Sequence, residues 1–371
     1  MRVNKAKVVI IGAGAAGLFA AKKLIDSGQY GPKDIIILEA QDYVGGRIKP
    51  FLLMMVLWKT GAQWIHGRGD NPVWKFVLEN NISVAEIANR DGKGNFMSQS
   101  GDIPPKEILH STLNFLQEVH ESVLMMFWMM KDSSKMGFLH QLENTLSSGL
   151  KSAMGLFYEC NTSIVTVSLG VLKASLNMFD YETIKWPSKN LRNNFGIRKN
   201  PGVMILRDSD TFKTFDYKDD DPWYNYVYGF DSVLHQPNIL MGWMSGEESR
   251  AMEMLSDKDI GENCIDLLKR VMSKSNIQAP IRMKNIYVSR WYQNRFCRGT
   301  YSYATTACVE KGIHHADLLE PVRYSSGRIA LMLAGEATSD NCTGTVHGAL
   351  MSGELQASKI LELNRDSELK K

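Results

Sequence analysis

The sequence predicts an α/β fold with a parallel sheet flanked by helices. Near the N-terminus, Val8 to Ile11 are branched and apolar and do not alternate with polar residues, which is typical of a strand buried on both faces of a parallel sheet. Near the C-terminus, the apolar run IALMLAG at 329–335 leads into a glycine-rich turn and a helix from about Val346. A chain of 371 residues with 44% hydrophobic content can bury a large core and form about two domains.

Three glycines follow the first strand. The stretch VVIIGAGAAGLFAAKKL places Gly12, Gly14 and Gly17 at a turn between a strand and a helix. At such a turn the first glycine permits a tight bend, the second lets the backbone approach a pyrophosphate, and the third lets helix and strand touch. The free N–H groups at the start of the helix favour an anion. Taken alone, this motif is also compatible with a purely structural corner.

An acidic residue at the end of a second strand makes the cofactor interpretation more specific. The apolar run Ile35 to Leu38 ends at Glu39, which lies about 20 residues after the glycines. An acid at this place binds ribose hydroxyls and disfavours a 2′-phosphate. The pattern therefore predicts a Rossmann-like dinucleotide site rather than a structural corner.

Two further motifs follow Glu39. The first, AQDYVGGRIKP, contains Gly45, Gly46 and Arg47, and the second is KTGAQWIHGRGDNPVW. A double glycine followed by arginine offers close backbone approach and a bidentate donor for phosphate oxygens, although a lone arginine is more often a solvated surface residue. The order GxGxxG, Glu, GGR and GAQWIHG resembles the flavin-containing amine oxidases. GAQWIHG most resembles their polyamine and spermine oxidase branch.

The C-terminal segment from Arg328 to Leu361 resembles the closing segment of the same family. In that family the acid corresponding to Glu336 meets the ribityl chain, and the TVHGA turn puts backbone N–H groups near the flavin, where a helix N-terminus stabilises negative charge. Thr300 stands where covalent-flavin relatives carry a cysteine, so the resemblance implies non-covalent FAD. The cofactor-binding residues that it implies are Gly12, Gly14, Ala15, Gly17, Glu39, Gly46, Arg47, Gly61, Ala62, Trp64, Trp291, Gly335, Glu336, Thr345 and Val346.

The resemblance also implies catalytic residues. RGTYSY is similar to the family's RGSYSY, which makes Tyr301 and Trp291 aromatic neighbours of the flavin; the alternative is that both are ordinary core aromatics. His66 in GAQWIHG resembles a histidine that faces the substrate amine, and a neutral imidazole can accept a hydrogen bond from a secondary amine. The alternative is a structural histidine. Lys199 is the candidate for the lysine that holds a water at the flavin, but it is one place out of register and Pro201 follows it, so a solvated loop lysine fits equally well.

The flavin motifs at both ends imply interleaved domains, as in amine oxidases and glutathione-reductase-like flavoproteins. The predicted FAD-binding domain comprises 1–70, 155–190 and 285–371, and an α+β substrate-binding domain comprises 71–154 and 191–284. Within the latter, the segment that begins at DPWYNY predicts two strands with a turn at HQPN, followed by a helix. Compared with the family, the chain is short before the VTVSLG strand and irregular after Phe195.

Composition and charge argue against several other classes of protein. A net charge of +3 with scattered basic residues gives no reason to expect nucleic acid as a partner. The five cysteines form no CxxC pair, which argues against a disulfide framework or a zinc site and favours reduced thiols in the cytoplasm. The apolar runs at 51–58 and 123–130 are too short to span a bilayer, and no hydrophobic signal region precedes the first strand. No metal site is predicted, and the sequence does not indicate an oligomeric state.

The predicted function is therefore FAD-dependent oxidation of a polyamine. Spermine, spermidine or their acetylated forms would give hydride to the flavin, and dioxygen would accept the electrons to give hydrogen peroxide, an aldehyde and a shorter amine. The alternative is a catalytically impaired or non-enzymatic flavin-fold protein that lost segments of both domains. A lysine demethylase is disfavoured because the chain has no room for its helical insertion and histone-binding module, and a pyridine-nucleotide-linked enzyme is disfavoured because no second GxGxxG follows a strand.

Overall fold

A computed structural model describes residues 3–53, 56–59, 61–84, 97–98, 105, 107, 150–151, 157–175, 195–198, 205–206, 222–233, 236–273, 281–324 and 328–369. The strands are β1 (Val3–Ile11), β2 (Ile35–Leu38), β3 (Pro50–Leu53), β4 (Val56–Lys59), β5 (Met97–Ser98), β6 (Leu150–Lys151), β7 (Phe157–Val165), β8 (Phe195–Arg198), β9 (Ile205–Leu206), β10 (Val227–Val233), β11 (Gln236–Met244), β12 (Tyr301–Ala304), β13 (Val322–Arg323) and β14 (Ile329–Leu333). The α-helices are α1 (Ala15–Asp26), α2 (Pro72–Glu79), α3 (Leu169–Ala174), α4 (Glu247–Glu253), α5 (Asp257–Val271), α6 (Thr306–Glu310) and α7 (Val346–Leu369). Short 3₁₀ turns cover Trp223–Tyr226, His315–Leu319 and Glu336–Thr338.

The chain divides into two compact units, each built from segments that are distant in sequence. The first unit comprises Met1–Ile82, Leu139–Arg198 and Trp291–Lys371, and the second comprises Ser83–Phe138 and Lys199–Arg290. The assignment of a cofactor role to one domain and a substrate role to the other, with the boundaries given above, stays a prediction.

The first unit contains the predicted parallel sheet. Its strand order is β13-β14-β7-β1-β2, in which β14, β7, β1 and β2 run parallel, β13 pairs antiparallel with β14, and β6 pairs antiparallel with β7. The apolar residues of β1 from Val8 to Ile10 and all five residues of β14 are buried, as expected for central strands that carry helices on their faces. The α/β class and the parallel sheet are confirmed.

Helix α7, near the C-terminus of the chain, packs against helix α1, near its N-terminus. Helix α7 begins at Val346, where the sequence predicts it. The two helices approach closely at Gly353, because a Cβ atom at that position would overlap the carbonyl oxygen of Ala16. Lys23 of α1 also forms an ion pair of 2.8 Å with Glu354 of α7. The first and last parts of the chain therefore belong to one packed body.

The second unit contains the predicted pair of strands and a helix after them. The predicted turn at HQPN is wrong in position, because Gln236, Pro237 and Asn238 already belong to β11. Strands β10 and β11 are antiparallel, and α4 and α5 follow. The side chains of Val227, Leu267 and Val271 form a small core. Arg290 fixes the corner between α4 and α5, since its Nη2 donates to the carbonyl oxygen of Leu255 and to Asp257, each at 2.7 Å. Among the described residues, no helix is both long enough and apolar enough to cross a membrane.

Candidate cofactor site

The glycine turn after β1 lies at the carboxyl end of the parallel sheet. Gly12 has φ +108°, a conformation that side-chain-bearing residues rarely adopt, and its N–H donates to the carbonyl oxygen of Leu38 at 2.7 Å. A Cβ atom on Gly17 would overlap the carbonyl oxygen of Gly12, so the third glycine permits the contact between helix and turn that the sequence predicts. A Cβ atom on Gly14 would have no atom of the described residues within 4 Å. The backbone at Gly14 therefore faces open space.

Glu39 lies against this turn. Its Oε2 accepts a hydrogen bond of 2.7 Å from the N–H of Ala13, and its Oε1 accepts from the N–H groups of Ala40 and Gln41, each at 2.9 Å. The carboxylate thus holds the turn through backbone donors, a role that the sequence did not indicate. The predicted contact of Glu39 with a ribose stays a prediction.

The second glycine motif docks on the first. The N–H of Gly45 donates to the carbonyl oxygen of Ala13 at 2.8 Å, and Gly14 and Gly45 form an isolated β-bridge. Gly46 has φ +60°, and a Cβ atom there would lie 3.6 Å from the Cα of Gly14. Both glycine motifs therefore form one surface of bare backbone.

Arg47 connects this surface to two distant segments. Its Nη1 donates to the carbonyl oxygen of Thr300 at 2.5 Å and to Oε1 of Glu336 at 2.9 Å. Its own carbonyl oxygen accepts from the N–H of Ala62 at 3.2 Å, and a Cβ atom on Gly61 would overlap that oxygen. The Nη1 atom of Arg47 thus binds acceptors of the protein itself. The predicted bidentate contact of Arg47 with phosphate stays a prediction.

Glu336 is the centre of the C-terminal part of the site. The residue is only 5% exposed, and its Oε2 accepts from the N–H of Ser302 at 3.2 Å, from the hydroxyl of Ser302 at 2.7 Å and from the N–H of Gly344 at 3.0 Å. Burial by itself raises the pKa of Glu336, but the charge of Arg47 and the hydrogen bonds from Ser302 outweigh it and hold the pKa below its usual value. Glu336 is therefore a buried, ionised carboxylate.

The turn that carries Glu336 borders a cleft. Gly335 has φ +146°, and its N–H donates to the hydroxyl of Ser352 in α7 at 2.9 Å. This small cleft is lined by Arg47 and Glu336 and by apolar residues that include Val165 at the end of β7 and Leu333 at the end of β14. Clefts at the carboxyl ends of parallel strands are where open α/β sheets bind their ligands.

Of the two aromatic residues predicted for the site, Tyr301 lies near the same turn. Trp291 is buried, and its carbonyl oxygen accepts from the N–H of Gly299 at 2.9 Å. The ring of Tyr301 packs on Gly344, where a Cβ atom would lie 3.1 Å from its Cδ2. Tyr301 also pairs with Arg198 in the ladder of β12 and β8. Lys199, which follows Arg198 in the sequence, lies outside the described residues.

Thr345 has a structural function that the sequence comparison did not suggest. Its hydroxyl donates to the carbonyl oxygen of Cys342 at 2.6 Å and accepts from the N–H of Gly348 at 3.0 Å, as an N-terminal helix cap does. Val346 and Ala15 are the first residues of α7 and α1, and Trp64 is half-buried.

His66 is exposed, and the loop that carries it is anchored to α2. The side-chain N–H of Asn71 donates to the carbonyl oxygen of His66 at 2.9 Å, while Oδ1 of Asn71 caps α2 by accepting from Val73 at 2.9 Å. Burial and the charge of His66 lower the pKa of His347. The histidine of the WIHG motif and the histidine of the TVHGA motif therefore interact electrostatically.

Several residues that build the site were missed by sequence reasoning. Ser302 lies between Tyr301 and Tyr303, and strand alternation could have indicated that it faces the opposite side. Ser352 and Thr166 contact the site over long sequence separations, for which a single sequence gives no signal.

His315 supports the Glu336 turn and gives a test of pH dependence. It is buried, its Nδ1 lies 2.6 Å from the carbonyl oxygen of Ala337, and burial lowers its pKa although that hydrogen bond and nearby carboxylates act in the opposite direction. The unfolded chain binds a proton at this histidine near pH 6.5, and the folded chain does so only at lower pH. The free energy of unfolding is therefore not reduced by His315 above about pH 6.5. Below that pH it falls by at most about 1.4 kcal/mol per pH unit until the pH reaches the pKa of His315 in the folded chain.

We expect His315→Gln to reduce the loss of unfolding free energy between about pH 7.5 and pH 5.5, measured by urea denaturation. His314→Gln is the control, because it removes the neighbouring histidine, which is only partly buried. An unchanged pH dependence in His315→Gln would contradict the assignment. Part of the dependence should remain in any case, since the pKa of His347 is also lowered.

The fold and the site define an α/β protein of the dinucleotide-binding architecture, in which both chain ends meet at the carboxyl edge of a parallel sheet. The family model "Flavin containing amine oxidoreductase" matches residues 15–134 and 140–361. The chain belongs to this family, which confirms the resemblance found in the sequence and implies a flavin cofactor.

Curated relatives include both oxidases and demethylases. The chain is 32% identical over 148 residues to the human "Peroxisomal N(1)-acetyl-spermine/spermidine oxidase", which covers 38% of this chain and 28% of the relative. It is 24% identical over 458 residues to "Lysine-specific histone demethylase 1 homolog 1" of Arabidopsis thaliana, covering 98% of this chain and 53% of the relative. It is 21% identical over 469 residues to "Polyamine oxidase 1" of Zea mays, covering 96% of this chain and 90% of the relative. The matches thus span 28% and 53% of the first two relatives.

Solved structures support the fold. A double mutant of putrescine oxidase, made to redesign its cofactor binding, superposes with a TM-score of 0.64 at 14% identity and covers 97% of this chain and 100% of that chain. At this identity the likeness shows the fold alone.

The residues of the site fit a flavin dinucleotide. Gly14 presents backbone to open space, Gly46 packs on it without a side chain, and Glu39 ends the second strand of the sheet. These are the features by which an α/β protein accepts a pyrophosphate and a ribose.

Proposed function

We propose that the chain is an FAD-dependent amine oxidase whose substrates are spermine, spermidine or their acetylated forms. The reaction converts a secondary amine, dioxygen and water into an aldehyde, a shorter amine and hydrogen peroxide. The observation that carries the proposal is the ion pair of Arg47 and Glu336, because it brings the N-terminal glycine turns and the C-terminal turn to one edge of the sheet. Membership of the amine oxidoreductase family supports the chemistry.

The proposed cofactor is FAD without a covalent bond. When bound, the flavin accepts hydride and passes electrons to dioxygen. Gly14 and Gly46 would hold the pyrophosphate through backbone at the tight turn that Gly12 permits, and Glu39 would hold the ribose. Thr300, which stands where covalent-flavin relatives carry cysteine, offers no thiol for attachment, and its carbonyl oxygen is bound by Arg47.

The residues proposed to act on the substrate are His66, Tyr301 and Lys199. A neutral His66 imidazole would take the proton from the substrate ammonium and so leave the unprotonated amine, which is the form that can lose hydride. Its exposure leaves it accessible to a substrate. Tyr301 and Trp291 would confine the amine and exclude bulk water. Lys199 stays a candidate for holding a water.

Two observations favour alternatives. The alignment with the Arabidopsis demethylase spans 458 positions, more than the 371 residues of this chain, so that relative contains segments without a counterpart here. This favours the alternative that the chain keeps the flavin fold but has reduced or no turnover. The same match covers 98% of the chain, so an N-methylated lysine is a second substrate candidate, although the sequence disfavoured it.

The test uses the purified full chain. We expect the visible absorption bands of flavin, release of the cofactor on denaturation, and hydrogen peroxide on addition of spermine, spermidine or an acetylated form. Catalase must abolish the peroxide signal. Bound flavin with peroxide only from a dimethyl-lysine peptide would favour the demethylase alternative. A colourless protein that does not take up FAD would reject the oxidase and favour the binding-protein alternative. The expected cytoplasmic location stays a proposal, since the human relative is named as peroxisomal.

A further inference from the structure

We infer that Thr166 is a positioning residue for the glycine turn. Its hydroxyl fixes the orientation of the backbone so that the N–H of Gly14 faces the place where the cofactor's pyrophosphate would bind. This inference rests on the proposed function. Thr166 directly follows β7. Its Oγ1 lies 2.9 Å from the carbonyl oxygen of Ile11 and 3.1 Å from that of Gly12, so its single hydroxyl proton is shared between the two. The backbone N–H of Thr166 also donates to the Ile11 oxygen, at 2.8 Å. The residue thus connects one strand of the sheet to the turn of another.

The peptide group between Gly12 and Ala13 is held from both sides. A trans peptide is planar, so its C=O and N–H point in opposite directions. The Gly12 oxygen lies 3.1 Å from the Thr166 hydroxyl, and the Ala13 N–H donates to Glu39 at 2.7 Å. Rotation of this peptide would break both hydrogen bonds, which fixes its orientation.

The orientation of the next peptide group, between Ala13 and Gly14, is also fixed. The oxygen of Ala13 accepts from the N–H of Gly45 at 2.8 Å, so the N–H of Gly14 points away from Gly45. Within the described part of the chain, no atom lies within 4 Å of the position that a Cβ on Gly14 would occupy, and no hydrogen-bond acceptor is found for its N–H. A backbone donor aimed at open space beside a helix N-terminus is suited to an anion.

Threonine fits this place in both size and chemistry. A Cβ atom on Gly12 would overlap Oγ1 of Thr166, and a Cβ atom on Gly17 would lie 3.1 Å from it. The hydroxyl therefore occupies space that these two glycines leave free. Valine at 166 would keep the shape but remove the donor, and the oxygen of Gly12 would lose the hydrogen bond that orients it.

The test compares Thr166→Val with Thr166→Ser, which retains the hydroxyl, and with Thr162→Val, which makes the same change on β7 away from the turn. We expect Thr166→Val to raise the Kd of the apoprotein for FAD about tenfold, which corresponds to the loss of one neutral hydrogen bond. The Kd for ADP, which carries the pyrophosphate without the flavin, should rise by a similar factor. Thr166→Ser and Thr162→Val should stay within about twofold of the wild type.

A second readout does not need the cofactor. We expect amide hydrogen exchange in the segment 10–18 of the apoprotein to be faster in Thr166→Val than in the wild type and in Thr162→Val. Unchanged FAD affinity and unchanged exchange in Thr166→Val would overturn the inference, as would equal losses in Thr166→Ser and Thr166→Val. A wild type that binds neither FAD nor ADP would reject the proposed function, and the exchange measurement would still decide whether Thr166 orients the turn.

Discussion

Replacing Glu336 with alanine is expected to lower the free energy of unfolding by about 3 kcal/mol and to abolish retention of FAD. The change removes the acceptor of Arg47, of both donors of Ser302 and of the N–H of Gly344. Losing one partner of a buried ion pair costs about 3–5 kcal/mol. The lower value applies because the Arg47 side chain is 26% exposed and water can reach part of its charge.

The matched control is Glu354→Ala. Lys23 and Glu354 also connect the two ends of the chain, but their side chains are 39% and 43% exposed, and such pairs contribute about 0.2–1 kcal/mol. Urea denaturation and the flavin content of the purified proteins measure both effects. If Glu336→Ala proves no less stable than Glu354→Ala and keeps its flavin, the buried pair does not hold the site together. Glu336→Gln, which fills the same space, separates the loss of charge from the loss of packing.

Gly14→Ala is expected to leave the apoprotein folded and to weaken FAD binding by about 100-fold or more. The backbone of Gly14 has φ −79°, which alanine adopts without strain, and in the part of the chain that the structure describes its Cβ would meet no atom within 4 Å. Replacing such a glycine stabilises a fold by up to about 1 kcal/mol, because the unfolded chain loses freedom. The new methyl group would occupy the space through which the pyrophosphate approaches the backbone.

Gly17→Ala is the contrasting variant. Its Cβ would overlap the carbonyl oxygen of Gly12, so we expect the fold itself to be destabilised by about 1–3 kcal/mol, as in an overpacked core. Thermal denaturation of the apoproteins and titration with FAD distinguish the two effects. A Gly14→Ala protein that binds FAD as tightly as the wild type would show that the cofactor does not lie against this turn.

The sequence predicted the elements whose signals are local. The strand-turn-helix around Gly12, the strand that ends at Glu39 and the start of α7 at Val346 are each encoded within about 20 neighbouring residues by apolar patterning and glycine placement. The pair of strands β10 and β11 and the helix after them were predicted for the same reason. The family resemblance added the expectation that the two ends of the chain share a site.

The tertiary structure decided which groups meet. Arg47 and Glu336 are 289 positions apart, and the Thr166 hydroxyl and the Gly12 oxygen are 154 positions apart. Glu39 binds backbone donors of the turn, and Thr345 caps a helix. Patterning specifies which face of an element is buried, but the partner of a buried polar group depends on which segments the fold brings within about 3 Å of it. For this protein the sequence determined the sheet and its glycine turn, and only the packed chain determined how the turn is held.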